Sequence, residues 1–268
     1  MDHLLRHVIL LLCAASLAAC AGSRYSQRHD SAPPVVRNVS SIPDAVPRLE
    51  PRSRYGNPKR YTVNGHTYRV MDDATGYVER GIASWYGRKF HGHRTASGEI
   101  YNMYAMTAAH TRLPLPTYVE VTNLRNGRKV VVRVNDRGPF HPNRLIDLSW
   151  AAAKKLGITE TGTGLVEVRA IDPRTWYRAQ SRTGKAGHPV SLQYGLYLQV
   201  GAFSSRTNAE NLRRKLSGFG PVHIQHAGRK RNPLYRVRIG PLASVEEADR
   251  LAERLIRLGF DAPHVVIN

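Results

Sequence analysis

Apolar and polar residues alternate in short runs through the middle of the chain. Val78-Glu-Arg-Gly-Ile-Ala-Ser-Trp-Tyr86, Tyr118-Val-Glu-Val-Thr122, Lys129-Val-Val-Val-Arg-Val134 and Leu165-Val-Glu-Val-Arg-Ala-Ile171 are period-two segments rich in β-branched residues, and they predict strands. Asn123 to Gly127, closing on Asn-Gly, reads as a turn between two of them. One helical stretch, Trp150-Ala-Ala-Ala-Lys-Lys-Leu156, follows a capping Ser149 and stops at Gly157. Residues 78–171 are therefore expected to form a small, mainly antiparallel barrel with one or two short helices.

The C-terminal part contains an internal repeat. Val200-Gly-Ala-Phe203 matches Ile239-Gly-Pro-Leu242, and the same offset carries Ser205 onto Ser244, Ala209 onto Ala248, Leu212 onto Leu251 and Leu216 onto Leu255. Each half reads as strand, turn, helix and further strand, with Val222-His-Ile-Gln225 and His264-Val-Val-Ile267 as the closing strands. The order β-α-β-β-α-β predicts a ferredoxin-like α+β domain over 194–268. Its helices cover one sheet face through their leucines and leave the other open. Gln199, Arg236 and Arg238 fall on these strands as candidate ligand-binding residues, and their face depends on register. Residues 172–193, with Pro173, Gly184, Gly187 and Pro189 and no periodicity, read as a linker.

The N-terminal part is patterned differently. Val8 to Ala15 is an apolar run too short to span a bilayer, followed by Leu17-Ala-Ala-Cys20. That tetrapeptide resembles a bacterial lipobox. The resemblance implies a signal peptide over 1–19, cleavage before Cys20 and lipidation of Cys20. Ala21, where an Asp would retain the protein at the inner membrane, implies an outer-membrane address. Residues 20–77 read as a disordered tether, since Pro33-Pro34, Pro43, Pro47, Pro51 and Pro58 interrupt any helix. Tyr61-Thr-Val and Tyr68-Arg-Val alternate and leave open an extra strand.

Charge sharpens the choice of partner. The formal net charge is +20, and all four segments of the chain share the excess. The whole molecule is therefore suited to an anionic matrix. Export excludes nucleic acid and points to the cell wall or anionic lipid. Of the two cysteines, Cys13 leaves with the signal peptide and Cys20 is acylated, so neither a disulfide nor a cysteine metal cluster is expected. No cofactor or metal is implied, although His91 and His93 lie near His110.

Seven carboxylates fall in the barrel segment: Glu79, Glu99, Glu120, Asp136, Asp147, Glu160 and Glu167. Glu120 and Glu167 lie between valines and alternate outward. Glu79 and Glu160 flank elements. Asp147, two residues before Ser149, reads as a structural helix-capping group. Glu99 and Asp136 remain, each on a Gly-containing loop, with His110 as a base or as a packed core histidine.

The motifs Ser84-Trp-Tyr-Gly87, Thr95-Ala-Ser-Gly-Glu99, Met106-Thr-Ala-Ala-His110, Val134-Asn-Asp-Arg-Gly-Pro-Phe140 and Ile146-Asp-Leu-Ser149 occur in that order. Together they resemble the rare lipoprotein A family, septal-ring lytic transglycosylases, and the C-terminal repeat resembles a SPOR domain. The resemblance implies a double-psi β-barrel like that of expansins. It also implies peptidoglycan as substrate, cut between N-acetylmuramic acid and N-acetylglucosamine, and a SPOR domain that binds peptide-free glycan at the division septum. The matching functional positions are Glu99, His110 and Asp136. A glycosidic bond needs a carboxylic acid to protonate its leaving oxygen. Asp136 is preferred as acid/base, Glu99 as the assisting carboxylate and His110 as a tuning or binding group. Trp85 and Tyr86 are candidates for stacking on sugars. A non-cleaving, expansin-like peptidoglycan-binding scaffold is the alternative, and a hydrolytic muramidase a third reading.

Overall fold

Long-range pairing turns the alternating runs into a closed barrel. The computed structural model describes residues 29–34, 38–176, 194–229 and 232–268. Strands β3 (Val78–Tyr86), β4 (Thr107–His110), β5 (Thr117–Asn123), β6 (Lys129–Asp136), β7 (Arg144–Ser149) and β8 (Gly164–Ala170) close in the order β3-β7-β4-β6-β5-β8. Most pairs are antiparallel, as expected. Two, β3 with β7 and β4 with β6, are parallel. Valines 119, 121, 130, 132, 134, 166 and 168 fill the interior and are almost wholly buried. Helix α1 (Trp150–Leu156) lies against β6 and β7, capped by the Ser149 side chain accepting from Ala152 N and ended by Gly157 in the left-handed region.

The expectation of a tether through residue 77 is corrected for residues 38–77, which lie on the barrel. Prolines forbid a helix there but not docking through isolated hydrogen bonds. Val131 N donates to Asp44 Oδ2 at 3.0 Å, and Ala45 N donates back to Val131 O at 3.0 Å. Asn57 Oδ1 accepts from Leu115 N at 2.8 Å while its Nδ2 donates to Leu115 O at 2.7 Å. The open alternative at Tyr61 is the one adopted: β1 (Arg60–Val63) and β2 (His66–Arg69) form a hairpin turning at Asn64-Gly65, both with positive φ. The lipobox lies outside the described residues, as does the linker beyond residue 176.

The C-terminal domain has the expected order: β9 (Leu196–Phe203), α2 (Arg206–Lys215), β10 (Val222–Arg229), β11 (Asn232–Leu242), α3 (Val245–Arg257) and β12 (His264–Ile267). Its antiparallel sheet runs β10-β11-β9-β12. Leu198, Val237, Ile239, Leu216 and Leu255 pack between the sheet and its helices. The domain adjoins the barrel through Ile82, Leu165, Leu196, Val245 and Ala248, and through an Arg144–Asp249 ion pair at 3.1 Å.

Candidate active site

A cavity of about 530 Å³ opens where strands from both parallel pairs meet, with Tyr86, Ala109, Asp136, Gly138, Phe140 and Asp147 in its wall. Register explains why these residues converge. Ala109 on β4 pairs with Asp136 on one side and with Asp147 on the other, and Asp147 in turn pairs with Ser84. Residues in one row of neighbouring strands share a face. The two aspartates therefore face the cavity from backbones about 10 Å apart, two strand spacings. Ala109, with its small side chain, is their common neighbour in the row. Gly138 closes the loop over this row: a Cβ built there would lie 3.8 Å from Asp147 Oδ2.

The two carboxyls have different surroundings. Asp136 Oδ1 accepts from Ala96 N at 2.7 Å and from Arg137 N at 2.8 Å. Asp147 is bound by the Ser84 hydroxyl, and burial pushes its carboxyl up to about 6, above the usual carboxylate range, against that hydrogen bond and the attraction of Arg144. The reading of Asp147 as a helix cap is corrected: Ser149 alone makes the cap, and Asp147 faces the cavity. A sequence signal existed. Ile146 and Leu148 are fully buried, so the strand alternation that turns them inward turns Asp147 to the opposite face.

Glu99 and His110 do not line the cavity. Glu99 receives Arg133 NH1 at 2.8 Å and Asn135 Nδ2 at 2.8 Å. Burial raises its carboxyl, but these hydrogen bonds outweigh burial and set it below the ordinary value. It braces the end of β6 just before Asp136. Ala96, which donates to Asp136, belongs to a turn in which Thr95 N donates to Glu99 O at 2.8 Å.

His110 is fully buried. Its Nδ1 accepts from Arg112 N and Leu113 N, each at 3.0 Å, which leaves Nε2 to donate to Tyr77 OH at 2.9 Å. Burial, helped by Arg112 and Arg137, lowers it to about 3, so the ring is neutral. The carbonyls of His110 and Leu113 accept from Arg137 NH1 at 2.9 and 2.6 Å. His110 thus fixes the residue next to Asp136.

Tyr86 lines the cavity and stacks on Tyr101 with ring centroids 4.1 Å apart. Trp85, one residue earlier on β3, packs against the barrel core and is not part of the cavity wall. Aromatic surface comes instead from the β1–β2 hairpin, in the stretch whose sequence reads as a tether. Tyr61 and Tyr68 stack at 5.3 Å on the β1–β2 hairpin, and both meet Phe140 of the cavity wall, at 6.3 and 5.7 Å. The alternation around Tyr61 and Tyr68 was the signal for this group.

In the C-terminal domain, register settles the open face. Gln199 pairs with Arg238 and with His264, and Arg238 pairs with His223, so one row crosses all four strands opposite the helices. Arg238 is almost buried, held by Gln199 Oε1 at 3.3 Å and Asn268 Oδ1 at 2.6 Å. Arg236, two residues earlier, shares this face and pairs with Gln225. Among the described residues no His, Cys, Asp or Glu cluster is arranged to hold a metal ion.

Comparison with known proteins agrees with this architecture. The Lytic transglycolase family matches residues 78–169 and the SPOR domain family matches residues 193–266. The chain is thus a protein of the lytic transglycosylase class with a C-terminal SPOR domain. It is 45% identical to the endolytic peptidoglycan transglycosylase RlpA of Pseudomonas aeruginosa (strain UCBPP-PA14), over 90% of this chain and 86% of that one. It is 40% identical to the Vibrio cholerae protein of the same name, over 97% of this chain and 96% of that one. The crystal structure of the RlpA SPOR domain from Pseudomonas aeruginosa is 42% identical and covers 27% of this chain and 97% of that one, with a TM-score of 0.26. The chain belongs to the RlpA family of endolytic peptidoglycan transglycosylases.

Proposed function

We propose that the chain cleaves peptidoglycan glycan strands between N-acetylmuramic acid and N-acetylglucosamine, with Asp147 as the acid and then the base. The observation that carries this reading is the row Asp136–Ala109–Asp147, with the protonatable member set partly inside the barrel wall. Asp147 gives its proton to the glycosidic oxygen as the C1–O bond breaks. The muramic acid C6 hydroxyl then bonds to C1, and its proton returns to Asp147. The product carries a 1,6-anhydro ring, no water is consumed, and the acid is regenerated. Asp136, held by two backbone N–H groups, faces the developing positive charge of the sugar ring. Glu99 and His110 are positioning residues: they act on Asp136 through Asn135, the Ala96 turn and Arg137. Phe140 with Tyr61 and Tyr68 offers sugar-stacking surface at the cavity.

The C-terminal sheet face, through Gln199, Arg236 and Arg238, holds peptide-free strands and brings the enzyme to the division septum. Lipidation of Cys20 and the Ala21 address would tether it to the outer membrane, facing the periplasm. The test is to incubate the chain with peptide-free glycan strands and weigh the products. Anhydro-ended fragments support the reading. Reducing ends would make it a hydrolase, and binding without cleavage would make it a scaffold. Asp147→Asn should abolish anhydro product while strand binding persists.

A further inference from the structure

The loop leaving β3 holds a carboxylate of the chain's own. Gly87 N donates to Asp30 Oδ2 at 2.7 Å and Lys89 N to Asp30 Oδ1 at 3.0 Å. Between them, Arg88 N donates to the Ser31 carbonyl at 2.9 Å. Two of three successive backbone N–H groups thus grip the carboxylate, one on each oxygen, and the third holds the neighbouring peptide carbonyl, an arrangement that suits any carboxylate of similar reach. The fit is close. A Cβ on Gly87 would lie 2.4 Å from the Ser31 carbonyl oxygen. The loop is bounded by Tyr86 and Phe90, both in the wall of the catalytic cavity. The charge of Asp30 is also felt at the site, since it contributes to holding Asp147 and Tyr101 above their ordinary values.

A peptide-free N-acetylmuramic acid carries a free lactyl carboxylate. In a peptide-bearing residue that carboxyl is an amide, which has no charge to offer. We propose that the Gly87–Lys89 loop is the subsite for the free lactyl carboxylate of the glycan, and that Asp30 fills it in the absence of substrate. This rests on the proposed cleavage at the neighbouring cavity. It makes the preference for peptide-free strands a property of the barrel itself, and it makes Asp30 an internal competitor of substrate.

The test compares the full chain with its Asp30→Ala variant on two probes. One is peptide-free glycan strands. The other is the same strands with their lactyl carboxyls converted to methylamides by carbodiimide coupling. Removing Asp30 should tighten binding of the free-acid strands about tenfold, the scale of charge-assisted hydrogen bonds, and leave the methylamide strands unchanged. Each comparison isolates the effect of Asp30, so glycan binding by the C-terminal domain cancels. An equal gain on both probes would make residues 29–34 a simple steric cover, and no gain on either would also overturn the subsite. Product analysis runs in parallel: absence of anhydro ends would count against the proposed cleavage, while the binding shift alone decides the subsite.

Discussion

The barrel cavity and the open sheet face of the C-terminal domain both gather charged side chains in one strand-crossing row, but they treat those charges differently. In the cavity, Asp147 is taken far enough from water for its proton affinity to change. On the sheet, Arg238 keeps its charge between two amide oxygens, those of Gln199 and Asn268. A group that must give up a proton has to be destabilised in its ionised form, and this needs a concave, protein-lined site. A group that only grips needs a donor fixed in position, and Arg238, though almost buried, stays ionised in the hold of Gln199 and Asn268. Curvature, more than residue type, separates the cutting part of the molecule from the holding part.

This contrast can be broken most decisively at Asp147. Asp147→Asn should lower kcat by about 10²- to 10⁴-fold, the usual worth of a general acid, with strand affinity retained in a binding assay. Loss of affinity instead would erase the distinction between the two regions. The pH profile gives the next effect. Because Asp147 is held protonated up to about 6, kcat should fall about tenfold per pH unit above that value and level off below it. On the other side of the comparison, Arg238→Ala should weaken binding to peptide-free strands about tenfold, by loss of charge-assisted hydrogen bonds, while kcat on saturating short fragments stays unchanged. A smaller effect is expected at the aromatic surface: Tyr68→Ala should raise KM about threefold to tenfold, in line with one lost aromatic contact.

His110 sharpens the division within the barrel. Its ring is held neutral down to about 3, whereas in the unfolded chain it takes a proton near its ordinary value. The unfolded state therefore binds the extra proton throughout that window, and this contribution to stability is lost as pH falls from about 6.5 toward 3. In denaturant titrations across these pH values, His110→Asn should flatten the dependence, since Asn still offers an acceptor to Arg112 and Leu113. An unchanged slope would remove His110 as the buried group responsible.

Most of the local structure was legible because local chemistry decides it. The Ser149 cap, the Gly157 stop, the turn at Asn123 to Gly127 and the repeated helices with Leu216 and Leu255 inward were all readable from spacing. The parallel pairings were not, since they join segments far apart in sequence, and alternation says only that a strand exists. The row of residues that lines the cavity depends on those pairings. Asp136 was visible from its Gly-Pro neighbours and Asp147 from its alternation with Ile146 and Leu148, but that the two share one row follows only from their pairings with β4. The N-terminal segment misled for a related reason. Composition argues against regular structure from Asn38 to Pro58, but it is silent on docking by single contacts such as Asp44 to Val131.

The joint between the two domains has a further consequence. Arg144 meets Asp249, Asn143 Oδ1 receives Val265 N at 3.1 Å, and Glu246 receives the Thr163 hydroxyl at 3.2 Å, beside the apolar cluster around Ile82 and Leu196. Were one glycan strand held on the sheet and cut at the cavity, this joint would set the length of strand between the two points. The joint would then act as a ruler: fragments should cluster about one number of disaccharides, and Asp249→Ala should blur that number without stopping the cut.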